Sequence, residues 1–330
     1  MNKEQRFRRQ VLVLGLLILV TAGLYLTYNT YGNWSFALAI RGKKLAAFFL
    51  VALACSGSTV AFQTLTHNRF LTPGILGMDQ LYVTVQTVLF FIAGGSVGLS
   101  LPVVPQFLVN VLLMAVVSVL FIGFFLGKTG NDFFRLLMVG MVAASLFSSI
   151  STYLQVLMDP NEYDLLQGKL YASFGNVSVK LLVISGVLLA VICSVLWYFG
   201  PELDVLLLGF DHGVNLGISV RPLQRLLLFL IAAATGIATA LVGPTIFLGF
   251  VVATVSYQIF PVHRHRQLFL GSTLLGILFL IGGQFIVEQF LGLKATISTV
   301  IQFAGGLFFI GKLVAGSSPV NRRRKFGKDK

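Results

Sequence analysis

Apolar residues in this chain fall in runs of about 20, not in the alternating or 3.6-residue stripes of a water-soluble fold. The runs lie near 10–31, 44–66, 75–98, 103–127, 133–157, 178–200, 223–242, 245–262, 267–287 and 296–315, with Gly, Pro and charged clusters between them. Each is about long enough for a helix to cross a ~30 Å hydrocarbon core. The pattern predicts an all-α polytopic membrane protein with about ten transmembrane helices in one domain, residues 1–330. Spans 1–5 occupy about 10–157 and spans 6–10 about 178–315. An outer-mouth segment at about 158–178 separates them, and a basic tail at 316–330 ends the chain. The opening "MNKEQRFRRQVLVLGLLILV" has the basic and apolar regions of a signal peptide, but no small-residue cleavage site follows cleanly. It reads as an uncleaved first span.

Composition agrees: 56% of residues are hydrophobic, 11% are charged and the mean hydropathy is +0.90. The formal charge of +13 raises nucleic acid as a partner, and its placement argues against one. With ten spans both termini lie on one side. If that side is the cytoplasm, the tail, the first residues and alternate loops hold 18 of the 24 Lys and Arg residues. The charge is then an orientation signal whose partner is the lipid bilayer. Cys55 and Cys193 lie far apart in apolar runs and read as reduced core residues. His263 and His265 stand at i, i+2 with no acidic or Cys cluster, so no metal site is expected. P-loop, nucleophile-elbow and paired-carboxylate patterns are missing from the sequence, so covalent chemistry is not expected of this chain.

Polar residues inside the runs are few. In the fifth span Ser145, Ser148, Ser149 and Thr152 fall at i, i+3, i+4 and i+7, and Gln155 extends the stripe. Small hydroxyl residues there either let helices pack closely or line a path for a polar solute. Asp79, near the start of the third span, is either an intramembrane carboxylate or an interfacial one. After the fifth span, Asp164 to Phe174 is amphipathic, either a short helix at the outer mouth or a surface loop. "PGILG" (Pro73 to Gly77) and "PTIFLG" (Pro244 to Gly249) echo each other in the two halves. The second span runs inward and the seventh outward, so a repeat would be inverted.

Between the sixth and seventh spans stands "LLLGFDHGVNLGISVRPLQR" (Leu206 to Arg225), with Gly209, Gly213 and Gly217 four apart. Such glycines break a helix into short pieces. Leu208, Val214, Leu216, Ile218 and Val220 could then fill a partner's groove. Asp211 could meet a helix N-terminus or a basic residue. An interfacial loop is the plainer reading.

This stretch resembles the cytoplasmic coupling loop of the FecCD family of ABC importer permeases for iron-siderophores, haem and vitamin B12. Gly209, Asp211, Leu216, Gly217 and Arg221 stand at matching or near-matching places, with Gly213 for the usual alanine. "SGSTVAFQTLTHNRFLTPGILGM", "GPTIFLGFVV" and "ISTVIQFAGGLFFI" resemble further family patterns, so the likeness covers nearly the whole chain. Departures fall at Asn68-Arg69, Ala253-Thr254 and Met78-Asp79-Gln80, and those around Asp79 carry no family role.

The resemblance implies a permease subunit with no cofactor of its own. ATP and Mg would be bound by two copies of an ABC ATPase subunit, which touch a coupling loop at about 203–222 that includes Val220. A second permease subunit is expected, as a heterodimer or alternatively a homodimer. A substrate-binding protein would dock outside on Arg41, Lys43 and Lys44, while Glu288 reverses the charge of a third docking position. The Ser/Thr stripe would line the path, Phe133 and Phe134 would stand at its cytoplasmic gate, and the coupling loop would pass its movement to the fifth span. The cargo implied is an iron-siderophore complex, with haem or vitamin B12 as the alternative. Ion-coupled secondary transport is the rival of another class. The expected location is the cytoplasmic membrane.

Overall fold

The computed structural model describes residues 3–29, 34–94, 102–129, 133–170, 173–175, 177–260, 262–292 and 295–317, apart from the side chains of 3, 75–76, 93, 118–137 and 312–317. All regular structure among these residues is helical. The order is α1 (Lys3–Thr27), α2 (Trp34–Leu65), a 3-10 turn (Pro73–Leu76), α3 (Met78–Ala93), α4 (Val103–Thr129), α5 (Phe133–Leu157), α6 (Pro160–Leu170) and α7 (Val179–Tyr198). It continues with α8 (Gly200–Leu206), α9 (Phe210–Asn215), α10 (Val220–Val242), α11 (Leu248–Ile259), α12 (His265–Gln289) and α13 (Ile297–Ser317). Among the described residues, six helices are long and apolar enough to cross a membrane: α1, α2, α5, α7, α10 and α12. Shorter apolar stretches lie in α3, α4, α11 and α13. The protein is therefore a multi-pass membrane protein.

Helices α2, α10 and α12 form the centre of the bundle, with α1, α7 and α11 packed around them. Their buried faces carry small residues, Ala47, Ala52 and Ala54 on α2 and Ala232 to Ala234 on α10. Small side chains let helix backbones approach closely, which is how helices associate where lipid is as apolar as leucine. Helix α5 stands at the edge and packs chiefly on α3 and the 3-10 turn. Gly77, at φ 83°, closes that turn, and a Cβ there would lie 3.3 Å from Ala144 of α5. A side chain larger than hydrogen would push the two apart.

The second helix begins ten residues before the apolar run that marks it in the sequence, and tertiary contacts account for the extension. Arg41 donates from Nη1 to the carbonyls of Tyr25, Leu26 and Tyr28, at 2.9, 3.2 and 2.7 Å. A guanidinium at a helix C-terminus satisfies the last carbonyls and opposes the helix dipole. It thereby ties the start of α2 to the end of α1. The amphipathic outer segment is also a helix, α6, which runs from Pro160 to Leu170, earlier than the stretch read from sequence. It is anchored by buried Leu166 against Phe90 and Met158.

Candidate functional site

The stripe read on α5 is only part of a larger polar lining. Ser148, Thr152 and Gln155 face a cavity of about 330 Å³ together with Ser151, Gln80 of α3, Gln167 of α6, and Thr296, Ser298, Thr299 and Gln302 at the start of α13. Among the described residues, no charged one lines it. Ser145 and Ser149 lie outside this lining; both are exposed, and the Ser149 hydroxyl bonds back to the Ser145 carbonyl at 2.9 Å. Ser151, which falls off the stripe, is buried and shares a hydrogen bond of 2.9 Å with Thr84. Gln155 donates to Thr87 at 3.1 Å. Gln80, Thr84 and Thr87 are spaced i, i+4 and i+7 on α3, a second polar stripe the sequence could have shown. Helices α3 and α5 are thus joined by hydroxyls and an amide, and the groups left over face the cavity. Such a lining solvates a polar solute without binding it through charge.

Phe133 and Phe134 open α5, but their side chains lie outside the described residues. Most of the basic tail does too.

The patterned loop forms two short helices, α8 and α9. Gly209, at φ 125°, separates them, and Gly217, at φ 82°, ends the second. Gly213 is buried in α9, where a Cβ would lie 3.2 Å from Val220 Cγ2 and 3.3 Å from Leu206 Cδ2. Leu208, Val214 and Leu216 are exposed, and so are Asp211 and Arg221. Val220 is different: it is buried under Gly213, so it holds the loop's shape and is not open to a partner.

The loop seats on α2, α10 and α12. His265, to which the sequence assigned no role, is the main link. It is 1% exposed; its Nδ1 lies 2.5 Å from Asp204 Oδ1 of α8 and its Nε2 2.7 Å from Thr64 Oγ1 of α2. Its backbone N–H also donates to Asp204 Oδ1 at 2.7 Å. Beside it, Phe210 of α9 meets the ring of His67, just past α2, edge-on at 4.7 Å between centroids. Partial burial lowers the His67 pKa, which favours a neutral ring there. Contacts link α9 to α5 indirectly, through the end of α2 and then the 3-10 turn on which α5 rests.

At the opposite end of the bundle, two of the four residues read as docking groups pair with each other. Lys44 Nζ pairs with Glu288 Oε1 at 2.6 Å, and their side chains are 14% and 11% exposed. Tyr25 and Gln284 also donate to Glu288 Oε1, at 2.9 and 2.7 Å. Arg41 caps α1, as above. Of the four, only Lys43 is exposed.

A polar cavity in a multi-pass helical bundle, with apolar side chains exposed on a stub at one end, suits a membrane transport subunit. The chain belongs to the FecCD transport family, whose model matches residues 12–315. It is 40% identical over 299 residues to the petrobactin import system permease protein YclO of Bacillus subtilis (strain 168), covering 91% of this chain and 94% of that one. It is 31% identical over 320 residues to the petrobactin import system permease protein FatC of Bacillus anthracis, covering 94% and 90%. Its fold matches the inward-facing conformation of a metal-chelate type ABC transporter with a TM-score of 0.82 at 20% identity, over 94% of this chain and 99% of that one. The chain is a permease subunit of an ABC importer, and hydrolysis of ATP falls to a separate ATPase subunit.

Proposed function

We propose that the cargo is an iron-siderophore complex of the kind named for the two petrobactin permeases. The observation that carries this reading is the lining of hydroxyls and amides, uncharged among the described residues, which suits a polar, ionised chelate that must pass without being held. Recognition then falls to an external binding protein. Ten helices cross the cytoplasmic membrane: the six long ones and the four shorter ones, α3, α4, α11 and α13. Both termini lie in the cytoplasm, as does the α8–α9 stub, and the two halves form an inverted repeat. A second, different permease subunit completes the path, and two ATPase subunits that hold ATP and Mg seat on Leu208, Val214 and Leu216. Lys43 is the open docking cation on the outer face.

The test is uptake of ⁵⁵Fe-petrobactin in cells lacking their own permease and supplied with this chain and its partner subunits. Saturable uptake that excess haem and vitamin B12 leave unchanged is expected, and Gln155→Leu with Ser148→Leu should reduce it. Uptake of haem or the corrinoid instead would overturn the cargo. Dependence on an ion gradient with no ATP requirement would overturn the class.

A further inference from the structure

The two sequence echoes meet in space. Pro73 and Gly74 of the first, and Thr245 to Phe247 of the second, line one cavity of about 340 Å³. Both are breaks in helical structure: the first is the 3-10 turn before α3, and the second is the interruption between α10 and α11, where Phe247 sits at φ 67°. Non-helical backbone at membrane depth persists where it faces protein or a water-filled cavity. Paired broken segments at a repeat interface are also where small ions are held in other membrane folds.

Asp79 opens into this cavity. Thr239 donates to its Oδ1 at 3.3 Å, and its Oδ2 lies over Gly74, 2.9 Å from where a Cβ would stand. Among the described residues, no Lys, Arg or His lines the cavity, and Asp79 makes no ion pair with any of them. Thr59, only 2% exposed, also lines the cavity, and its hydroxyl has no hydrogen-bond partner among the described residues. Thr72 and Thr245 add two more oxygens. Asp79 stands in the first turn of α3, whose N-terminus offers only a partial positive charge, and a buried carboxylate remains costly without a full one beside it. One carboxylate among neutral oxygens matches a single positive charge and the oxygen preference of hard cations.

We propose that Asp79, Thr59 and Thr239 bind a monovalent alkali cation, of sodium's class, at the junction of the two broken segments. The cation is a resident, held there while ATP drives transport elsewhere. Gln80 and Ile246 border both this cavity and the polar passage, so the ion steadies the passage wall from behind. The test is ²²Na⁺ binding by scintillation proximity to the purified full chain in lipid nanodiscs, with choline as the inert replacement. Saturable binding is expected in the wild type. Asp79→Asn should abolish it, and Gly74→Ala, which crowds Oδ2 but keeps the charge, should weaken it. Gel filtration confirms that each variant is folded. Absence of saturable binding to the wild type, or equal binding by Asp79→Asn, overturns the proposal and leaves a protonated carboxyl in its place. Failure here leaves the transport reading intact, because ⁵⁵Fe uptake is measured separately.

Discussion

Whether Lys44 and Glu288 serve the fold or a docking partner can be decided by a double-mutant cycle. The perturbations are Lys44→Met, Glu288→Gln and the two together. Removing one partner of a buried ion pair costs ~3–5 kcal/mol, because the other charge is left uncompensated. This pair is 14% and 11% exposed, and Glu288 keeps the Tyr25 and Gln284 donors after Lys44 is lost. That lowers the expected cost of Lys44→Met to about 2–3 kcal/mol, since hydrogen bonds to a charged group are worth ~1.5–3 kcal/mol. Glu288→Gln should cost a similar amount by stranding the ammonium. The double variant leaves no stranded charge, so its loss should fall at least ~1.5 kcal/mol short of the sum. The assay is reversible unfolding of the purified chain in mixed dodecylmaltoside–SDS micelles. It can be followed by a thiol-reactive dye, which reaches buried Cys55 and half-buried Cys193 as the bundle opens. Single variants within ~0.5 kcal/mol of wild type and strictly additive would refute the reasoning. They would mean that the pair is solvated and that both groups are open to a docking protein.

Three further outcomes are expected. Gly213→Trp has no room between Val220 and Leu206. It should distort the stub and, with Leu216→Asp, abolish co-purification of the ATPase subunit; retained ATPase would place the coupling surface elsewhere. His265→Leu removes the side-chain links to Thr64 and Asp204, though Thr64 keeps its bond to Val60 and Asp204 the backbone N–H of residue 265, and it leaves Leu208, Val214 and Leu216 in place. The ATPase should still bind, while uptake falls at least tenfold; normal uptake would refute the route through α2. In α6, burial pushes the Lys169 ammonium pKa down from the usual lysine value of ~10.4. Between the lowered pKa and that value the unfolded chain binds more protons than the folded one, so stability should rise with pH across this window. Lys169→Met should flatten the rise in the same unfolding assay.

Much of the bundle was legible from the sequence because the membrane enforces local rules. A helix must satisfy its own backbone groups within one segment, so a run of apolar residues fixes it without reference to any neighbour. The fifth span, 133–157, coincides with α5, and the glycines at 209 and 217 mark where α8, α9 and α10 part. Of the polar residues around the cavity, Ser148, Thr152 and Gln155 were likewise visible as a stripe on one helix. Most of the others were not, because Gln80 and Gln167 come from other helices, and Thr296, Ser298 and Gln302 lie some 140 residues further along the chain.

Pairings across such separations are what the tertiary structure alone decided. Spacing shows which residues share a face of one helix, but not which face of another helix it meets. Lys44 and Glu288 read as two separate docking charges until the fold placed them 2.6 Å apart. Arg41, read as a contact for another protein, caps α1 because its neighbouring helix ends there. Val220 looked available to a partner, but the close approach permitted by Gly213 buries it. His265 carried no signal at i, i+2 from His263, since its partners Asp204 and Thr64 are 61 and 201 residues away. The sequence by itself determined the helices, their membrane setting and the patterned stub. The side-chain contacts between helices, which connect that stub to the rest of the bundle, depend on three-dimensional proximity and appear only in the folded chain.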